Sequence, residues 1–203
     1  MRPKETSDKS KRKQLKSADC VGSNEMQQVK QAHAAASPRA SAGVVLGAPR
    51  VRDGAAIHQL VEACKPLDLN STYAYLLLCE HFAETCVRAE REGRTVGFIS
   101  AYRPPQRGDV VFVWQVAVAE EARGQGLARS MLEHLLARPA LRECRFLETT
   151  VSPSNEPSRR LFHGLARDLG APVTERVLFD EPDFGEAQHE CETLIRIGPF
   201  AGA

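Results

Sequence analysis

No run of about 18 consecutive apolar residues occurs in the 203-residue chain, so no membrane-spanning helix is expected. The amino-terminal stretch also lacks the apolar core of a secretory leader, which points to a cytoplasmic protein. Six cysteines (Cys20, Cys64, Cys79, Cys86, Cys144, Cys191) form no Cys-x-x-Cys pair and no zinc-type grouping with histidine, so reduced thiols are expected. Cys64, Cys79 and Cys86 stand among apolar residues, as core fillers do. The histidines (His33, His58, His81, His134, His163, His189) have no ligand spacing, and no metal is expected. Cys144 and Cys191 have no adjacent base in a known motif, which gives no support to a cysteine nucleophile. Aromatics are scarce: eight Phe, three Tyr and a single Trp, Trp114.

Net charge is only +1, but it is unevenly spread. Residues 1–50 hold ten Lys and Arg against four Asp and Glu, whereas residues 51–203 hold seventeen against twenty-two. Residues 1–43 are rich in Lys, Ser, Gln and Ala with few large apolar side chains. They cannot bury enough surface to offset ordering entropy, so a disordered basic tail is expected there. The acidic remainder, residues 44–203, suits a cationic small-molecule amine better than a polyanion, and no nucleic-acid partner is expected.

A first strand is expected between Val44 and Arg52. A helix capped by Asp53 should reach Cys64 and stop before Pro66, with Ile57, Leu60 and Val61 on one face. Ser71 or Thr72 opens a second helix. Thr85–Glu90 and Val96–Tyr102 read as a hairpin turning at Glu92-Gly93-Arg94. Val110–Ala119 is apolar enough to suggest burial on both faces. A helix over 126–138 follows, then a strand over 145–151, a helix over 155–169 and strands near 173–179 and 193–197. The order is β-α-α-β-β-β-α-β-α-β-β, with no internal repeat.

The most informative segment is the junction between Val116-Ala117-Val118 and the helix that starts at Gly126. A strand feeding Arg123-Gly124-Gln125-Gly126-Leu127-Ala128 presents bare backbone N–H groups at the positive end of a helix dipole, which is an anion site. Gly124 and Gly126 leave no Cβ in the way of a phosphate oxygen, and Arg123 adds a guanidinium fork suited to a pyrophosphate.

Arg123, Gly126 and Ala128 satisfy the spacing Gln/Arg-x-x-Gly-x-Gly/Ala, and in this it resembles the GNAT superfamily of acetyl-CoA-dependent N-acetyltransferases. Four longer runs carry the resemblance further. They are Lys65-Pro66-Leu67-Asp68-Leu69-Asn70-Ser71-Thr72-Tyr73-Ala74-Tyr75, Gly97-Phe98-Ile99-Ser100-Ala101-Tyr102-Arg103-Pro104-Pro105, Val113-Trp114-Gln115-Val116-Ala117-Val118 and Leu147-Glu148-Thr149-Thr150-Val151. Over residues 51–197 the chain is similar to the L-2,4-diaminobutyrate acetyltransferases of ectoine biosynthesis. The resemblance implies an α/β fold: a mixed, mostly antiparallel central sheet flanked by helices, with a splayed pair of central strands. It also implies acetyl-CoA as co-substrate, no metal, and a homodimer.

By the same resemblance, Val116, Val118, Arg123, Gly124, Gln125, Gly126, Ala128 and Asn155 would hold the cofactor, and a backbone N–H near Val116 would face the thioester oxygen. Asn155 also reads simply as a helix cap. Asp68, Tyr73, Trp114, Glu148 and Arg103 are the candidates for the substrate. Asp68 would meet an ammonium, Trp114 would pack the methylenes or cover a cation, and Arg103 would take the carboxylate. Glu148, a charge inside an apolar strand, and Tyr73 would serve proton transfer. Glu175 and Glu190 are weaker acidic candidates. Many GNAT enzymes carry a tyrosine acid on the helix that Asn155 opens, where this chain has Phe162, so the source of that proton stays open among Tyr73, Tyr75 and water. The motifs alone also accommodate another small amine, a protein amine, or a non-catalytic acyl-CoA-binding module.

Overall fold

Alternating and continuous apolar runs, read above as strands, come together in one sheet. The computed structural model describes residues 43–186 and 189–200, so the expected tail lies outside them except for Gly43. Seven strands, β1 (Val44–Gly47), β2 (Val87–Arg91), β3 (Arg94–Tyr102), β4 (Val110–Val118), β5 (Phe146–Val151), β6 (Val173–Phe179) and β7 (Glu192–Ile197), are joined in the order β1-β2-β3-β4-β5-β7-β6. The helices are α1 (Gly54–Glu62), α2 (Thr72–His81), α3 (Leu127–Leu136) and α4 (Glu156–Asp168). All neighbouring strands run antiparallel except the central pair β4–β5, which is parallel. The expected element order and fold class are those observed.

Helices cover the two faces separately. On one, Ile57, Leu60 and Val61 of α1 and Tyr75, Leu78 and Cys79 of α2 pack on Phe98 and Ala117. On the other, Leu127, Met131, Leu132 and Leu135 of α3 and Phe162, Leu165 and Ala166 of α4 pack on Ile99, Val111, Val113 and Leu147. Both cores meet at β4, and a bulge lets one strand serve both. Ser100 lies opposite Gln115 and Ala101 opposite Val113, so Trp114 is the extra residue. The insertion reverses the side-chain alternation. Val111 and Val113 therefore face α3 and α4, whereas Ala117, beyond the bulge, faces α1 and α2.

Local boundaries depart from the sequence expectation where caps intervene. Asp53 accepts from the Arg50 amide at 2.8 Å and closes a short 3-10 turn, Val51–Asp53, ahead of α1. As the residue before α1, Asp53 makes no side-chain cap bond, and the helix ends at Glu62. Ser71 does cap α2, accepting from the Ala74 amide at 3.3 Å. Glu92 and Gly93 both have positive φ, a two-residue turn whose twist matches the strands. The expected burial of β4 on both faces fails in its second half. Val116 and Val118 are only partly covered because no strand pairs with them on the β5 side.

The end of α3 is tied to the start of β2 by one buried side chain. Arg138 donates through Nη1 to the carbonyls of Ala83 (2.9 Å), Glu84 (3.3 Å) and Cys86 (2.6 Å). Arg138→Met leaves those acceptors without donors, and a loss of about 2 kcal/mol in unfolding free energy is expected. Urea titration checks this as a lower midpoint at unchanged slope.

Candidate active site

Strands β4 and β5 pair over three residues only, Val110–Phe112 with Phe146–Glu148, and then diverge. The Ala119 amide donates to Val96, so the alternation of an antiparallel ladder turns the amide and carbonyl groups of Val116 and Val118 away from β3, into the opening. A groove of about 440 Å³ occupies it, lined by Val116, Val118, the glycine turn and the start of α4.

At one end of the groove, Gly124 (φ +71°) and Gly126 (φ +77°) take left-handed conformations, and a Cβ at either would meet nothing within 4 Å. Gly126 precedes α3 without a side-chain cap. None of the six backbone N–H groups from Gly124 to Arg129 makes a well-formed hydrogen bond within the described residues. Six free donors at a helix start form an anion cradle. Arg123 and Ala128 line the groove. Arg123 also donates through Nε to the Val118 carbonyl (3.1 Å), which accepts from Cys64 Sγ (3.3 Å) as well, so at Val118 the amide is the group left open. Gln125 adds only its backbone N–H to the cradle. Its side chain donates to the Glu121 carbonyl (2.8 Å) and accepts from Arg91 Nη2 (2.9 Å), so it braces the turn from behind.

A second chamber, of about 720 Å³, adjoins the groove and shares Pro66, Leu67, Asn155 and Pro157 with it. Asn155 caps α4, accepting from the Ser158 amide at 3.2 Å, and faces both spaces. The chamber is acidic, with Asp68, Glu190 and Glu192 in its wall beside Trp114 and His189. His189 Nε2 stands 3.8 Å from Asp68 and 3.9 Å from Glu192. Burial pushes the Glu192 carboxyl above the usual glutamate range, against a hydrogen bond from Thr150 and the charge of His189. His189 is raised as well, first by its bond to the Glu190 carbonyl (2.6 Å) and then by Glu192 and Asp68. Hydrogen bonds from Ser154 hold Glu190 below the ordinary value.

Gln115 ties down the Asp68 segment of the chamber wall. Its side-chain amide donates to the Asp68 carbonyl (2.7 Å) and accepts from the Tyr75 hydroxyl (3.2 Å), while its backbone amide donates to Ser100 Oγ (3.1 Å). A glutamine in an otherwise apolar strand was the available signal. His189 and Glu192 carried none, since more than a hundred residues separate them from Asp68.

Five positions singled out in the sequence are placed elsewhere. Tyr73 is 67% exposed on α2 and lines neither space, because the inward position of that turn belongs to Tyr75. Arg103 is engaged with the carbonyls of Gly108 and Ala140 and with Glu143 (3.2 Å), away from the chamber. Glu148 is 1% exposed and clamped by Arg107 (2.7 Å) and Arg196, so its charge is committed and it is no free base. Phe162 is buried in the core, and its neighbour Leu161 lines the groove with Pro157 and Ser158. Glu175 pairs with Arg159 and His163 on the surface, outside the chamber.

A strand splayed from its neighbour, a glycine turn of free amides and an acid-walled chamber together make a site for transfer from an anionic carrier to a cation. The chain belongs to the acetyltransferase (GNAT) family, which residues 55–165 match. It is 58% identical over 166 residues to the L-2,4-diaminobutyric acid acetyltransferase of Bordetella parapertussis, covering 81% of this chain and 89% of that one. To the enzyme of that name from Methylotuvimicrobium alcaliphilum it is 48% identical over 157 residues, 77% and 91% of the two chains. Diaminobutyrate acetyltransferase EctA from Paenibacillus lautus, solved with its substrate L-2,4-diaminobutyric acid and coenzyme A, is similar in structure. The TM-score is 0.76 at 48% identity, over 77% of this chain and 95% of that one. Within the wider family, then, the chain falls in the L-2,4-diaminobutyric acid acetyltransferase family.

If the turn grips a phosphate, Gly126→Glu places a carboxylate among its donors. Calorimetry with CoA should show at least about a hundredfold weaker binding, whereas Gly126→Ala, which adds only backbone strain of about 1 kcal/mol, should weaken it far less.

Proposed function

We propose that this chain transfers an acetyl group from acetyl-CoA to the γ-amine of L-2,4-diaminobutyrate, giving N4-acetyl-L-2,4-diaminobutyrate for ectoine biosynthesis. Transfer is by direct attack in a ternary complex, in the cytoplasm, with residues 44–203 as the catalytic domain. The observation that carries the reading is the acidic chamber opening onto the groove of the glycine turn. Acetyl-CoA, when bound, supplies the acetyl group as a thioester.

Each protein group then has a physical task. The amides from Gly124 to Arg129, with Arg123, hold the diphosphate. The open amide edge of Val116 and Val118 takes the pantetheine as an added strand would. The Val116 N–H faces the thioester oxygen and stabilises charge gathering there, a contribution of about 3 kcal/mol for such a donor. Asp68 attracts the diamine, and Trp114 covers its chain with a ring face. An aliphatic amine with a pKa of about 10 must lose a proton before it attacks. Glu192 takes that proton, since its desolvated carboxylate is a stronger base than an ordinary one. His189 orients it.

Release of free thiol, followed in a coupled assay, tests the reading. Saturable CoA release with diaminobutyrate is expected, and release with another amine but none with diaminobutyrate overturns it. Glu192→Gln should lower kcat about a hundredfold or more. A raised carboxyl pKa keeps Glu192 protonated to higher pH than usual. The acid limb of kcat/KM should therefore lie above the ordinary glutamate value and vanish in that variant.

We further propose a homodimer. Edge strand β6 exposes Val177 (52%) and Phe179 (46%), an apolar edge that a second copy would cover. Sedimentation equilibrium should give twice the chain mass, and Val177→Glu should shift it toward the monomer.

A further inference from the structure

Past Trp114, Thr150 and Phe179, which it shares with the acidic chamber, lies a cavity of about 490 Å³ of opposite character. Arg107 and Arg176 line it, and Glu148 forms its buried floor. Glu148 accepts from Arg107 Nη1 through both oxygens at 2.7 Å and from Arg196 Nη1. Arg196 is turned aside, its guanidinium over the Phe146 ring at 3.8 Å. Arg176 has only a long contact with the Val177 carbonyl (3.5 Å) and no carboxylate partner among the described residues. Two guanidiniums thus share one carboxylate while Arg176 has none, and the cavity is left positive. Nε and Nη2 of Arg107 have no protein acceptor among the described residues, so a fixed guanidinium edge remains for an anion.

An acidic end and a basic end lie along one face of the sheet. On β7, Glu192 and Arg196 lie four residues apart on one face, with Glu148 directly opposite Arg196 and Thr150 opposite Leu194 between them. At about 3.3 Å per residue the Cα atoms of Glu192 and Arg196 lie roughly 13 Å apart along the strand. A 2,4-diamino acid spans about 5 Å from carboxylate to γ-nitrogen, and charge-assisted hydrogen bonds of about 2.8 Å extend it at each end.

We infer that Arg107, held in place by Glu148, receives the α-carboxylate of the acceptor and so decides which amine reaches the thioester. This rests on the diaminobutyrate reading above. With the carboxylate at Arg107, the α-amine is one carbon away from the anchor, and only the γ-amine extends to Glu192. Arg103, the sequence candidate for this task, is spent on its own loop, and Arg107 four residues on takes its place.

The experiment compares diaminobutyrate with 1,3-diaminopropane, which keeps both amines and lacks the carboxylate, in the full-length chain and in Arg107→Met. Arg107 is half-exposed, so the variant should fold, and a thermal melt close to that of the wild type is the check. Its KM for diaminobutyrate should rise about twentyfold or more while kcat changes by less than about threefold. The preference for diaminobutyrate over diaminopropane should fall by about tenfold or more, and Arg107→Lys should recover part of it. A variant that keeps the wild-type preference, or loses both substrates in equal proportion, overturns the assignment. A wild-type chain with no diaminobutyrate turnover removes the parent reading, and the assignment with it.

Discussion

Everything functional in this molecule hangs on a missing set of hydrogen bonds. Strands β4 and β5 are bonded at their amino ends and unbonded beyond Phe112 and Glu148. Backbone groups left without partners in a fold are costly unless water or a ligand meets them. Here the exposed amide edge of Val116 and Val118, together with the free donors of the glycine turn, concentrates unsatisfied donors along one groove. The sheet tolerates this because β3 pairs β4 from Phe112 to Val118 and β7 pairs β5, so each parted strand is secured from its other side.

The bulge at Trp114 is the second half of the same device. By shifting the alternation of β4, it puts Gln115 on the α1–α2 side, where it grips the Asp68 carbonyl and the Tyr75 hydroxyl. It also leaves Trp114 between two spaces of opposite charge, one walled by Asp68, Glu190 and Glu192, the other by Arg107 and Arg176. A zwitterion with an extra ammonium meets favourable charge at both ends only in one orientation. Burial adds to the effect on the acidic side, since the carboxyl of Glu192 resists ionisation until a cation or higher pH favours it.

Much of the fold was legible because its signals are local. The glycine turn, the Glu92-Gly93 hairpin, the Ser71 cap and Asn155 each depend on a few neighbouring residues, and all four are where the sequence placed them. The groove residues followed, since strand, turn and helix are contiguous. The acceptor side is different. Asp68, Gln115 and the pair His189 and Glu192 come from three separate segments, and only the sheet order brings them together. A charged residue in an apolar strand drew attention to Glu148, but composition cannot say that two arginines already hold it. Tyr73 and Arg103 failed for a similar reason: their neighbours Tyr75 and Arg107 have the inward direction, and direction is set by packing rather than by residue type.

Strand β7 lies between β5 and β6, although it follows both along the chain. Residues 173–179 therefore leave the ribosome before the strand that must receive them exists. Until residues 192–197 emerge, the nascent chain holds two unpaired strand margins, with Val177 and Phe179 on one of them. Completion of this enzyme's sheet is thus deferred until residues 192–197 are made, and a chain cut short before them would be a sticky fragment instead of a smaller working domain.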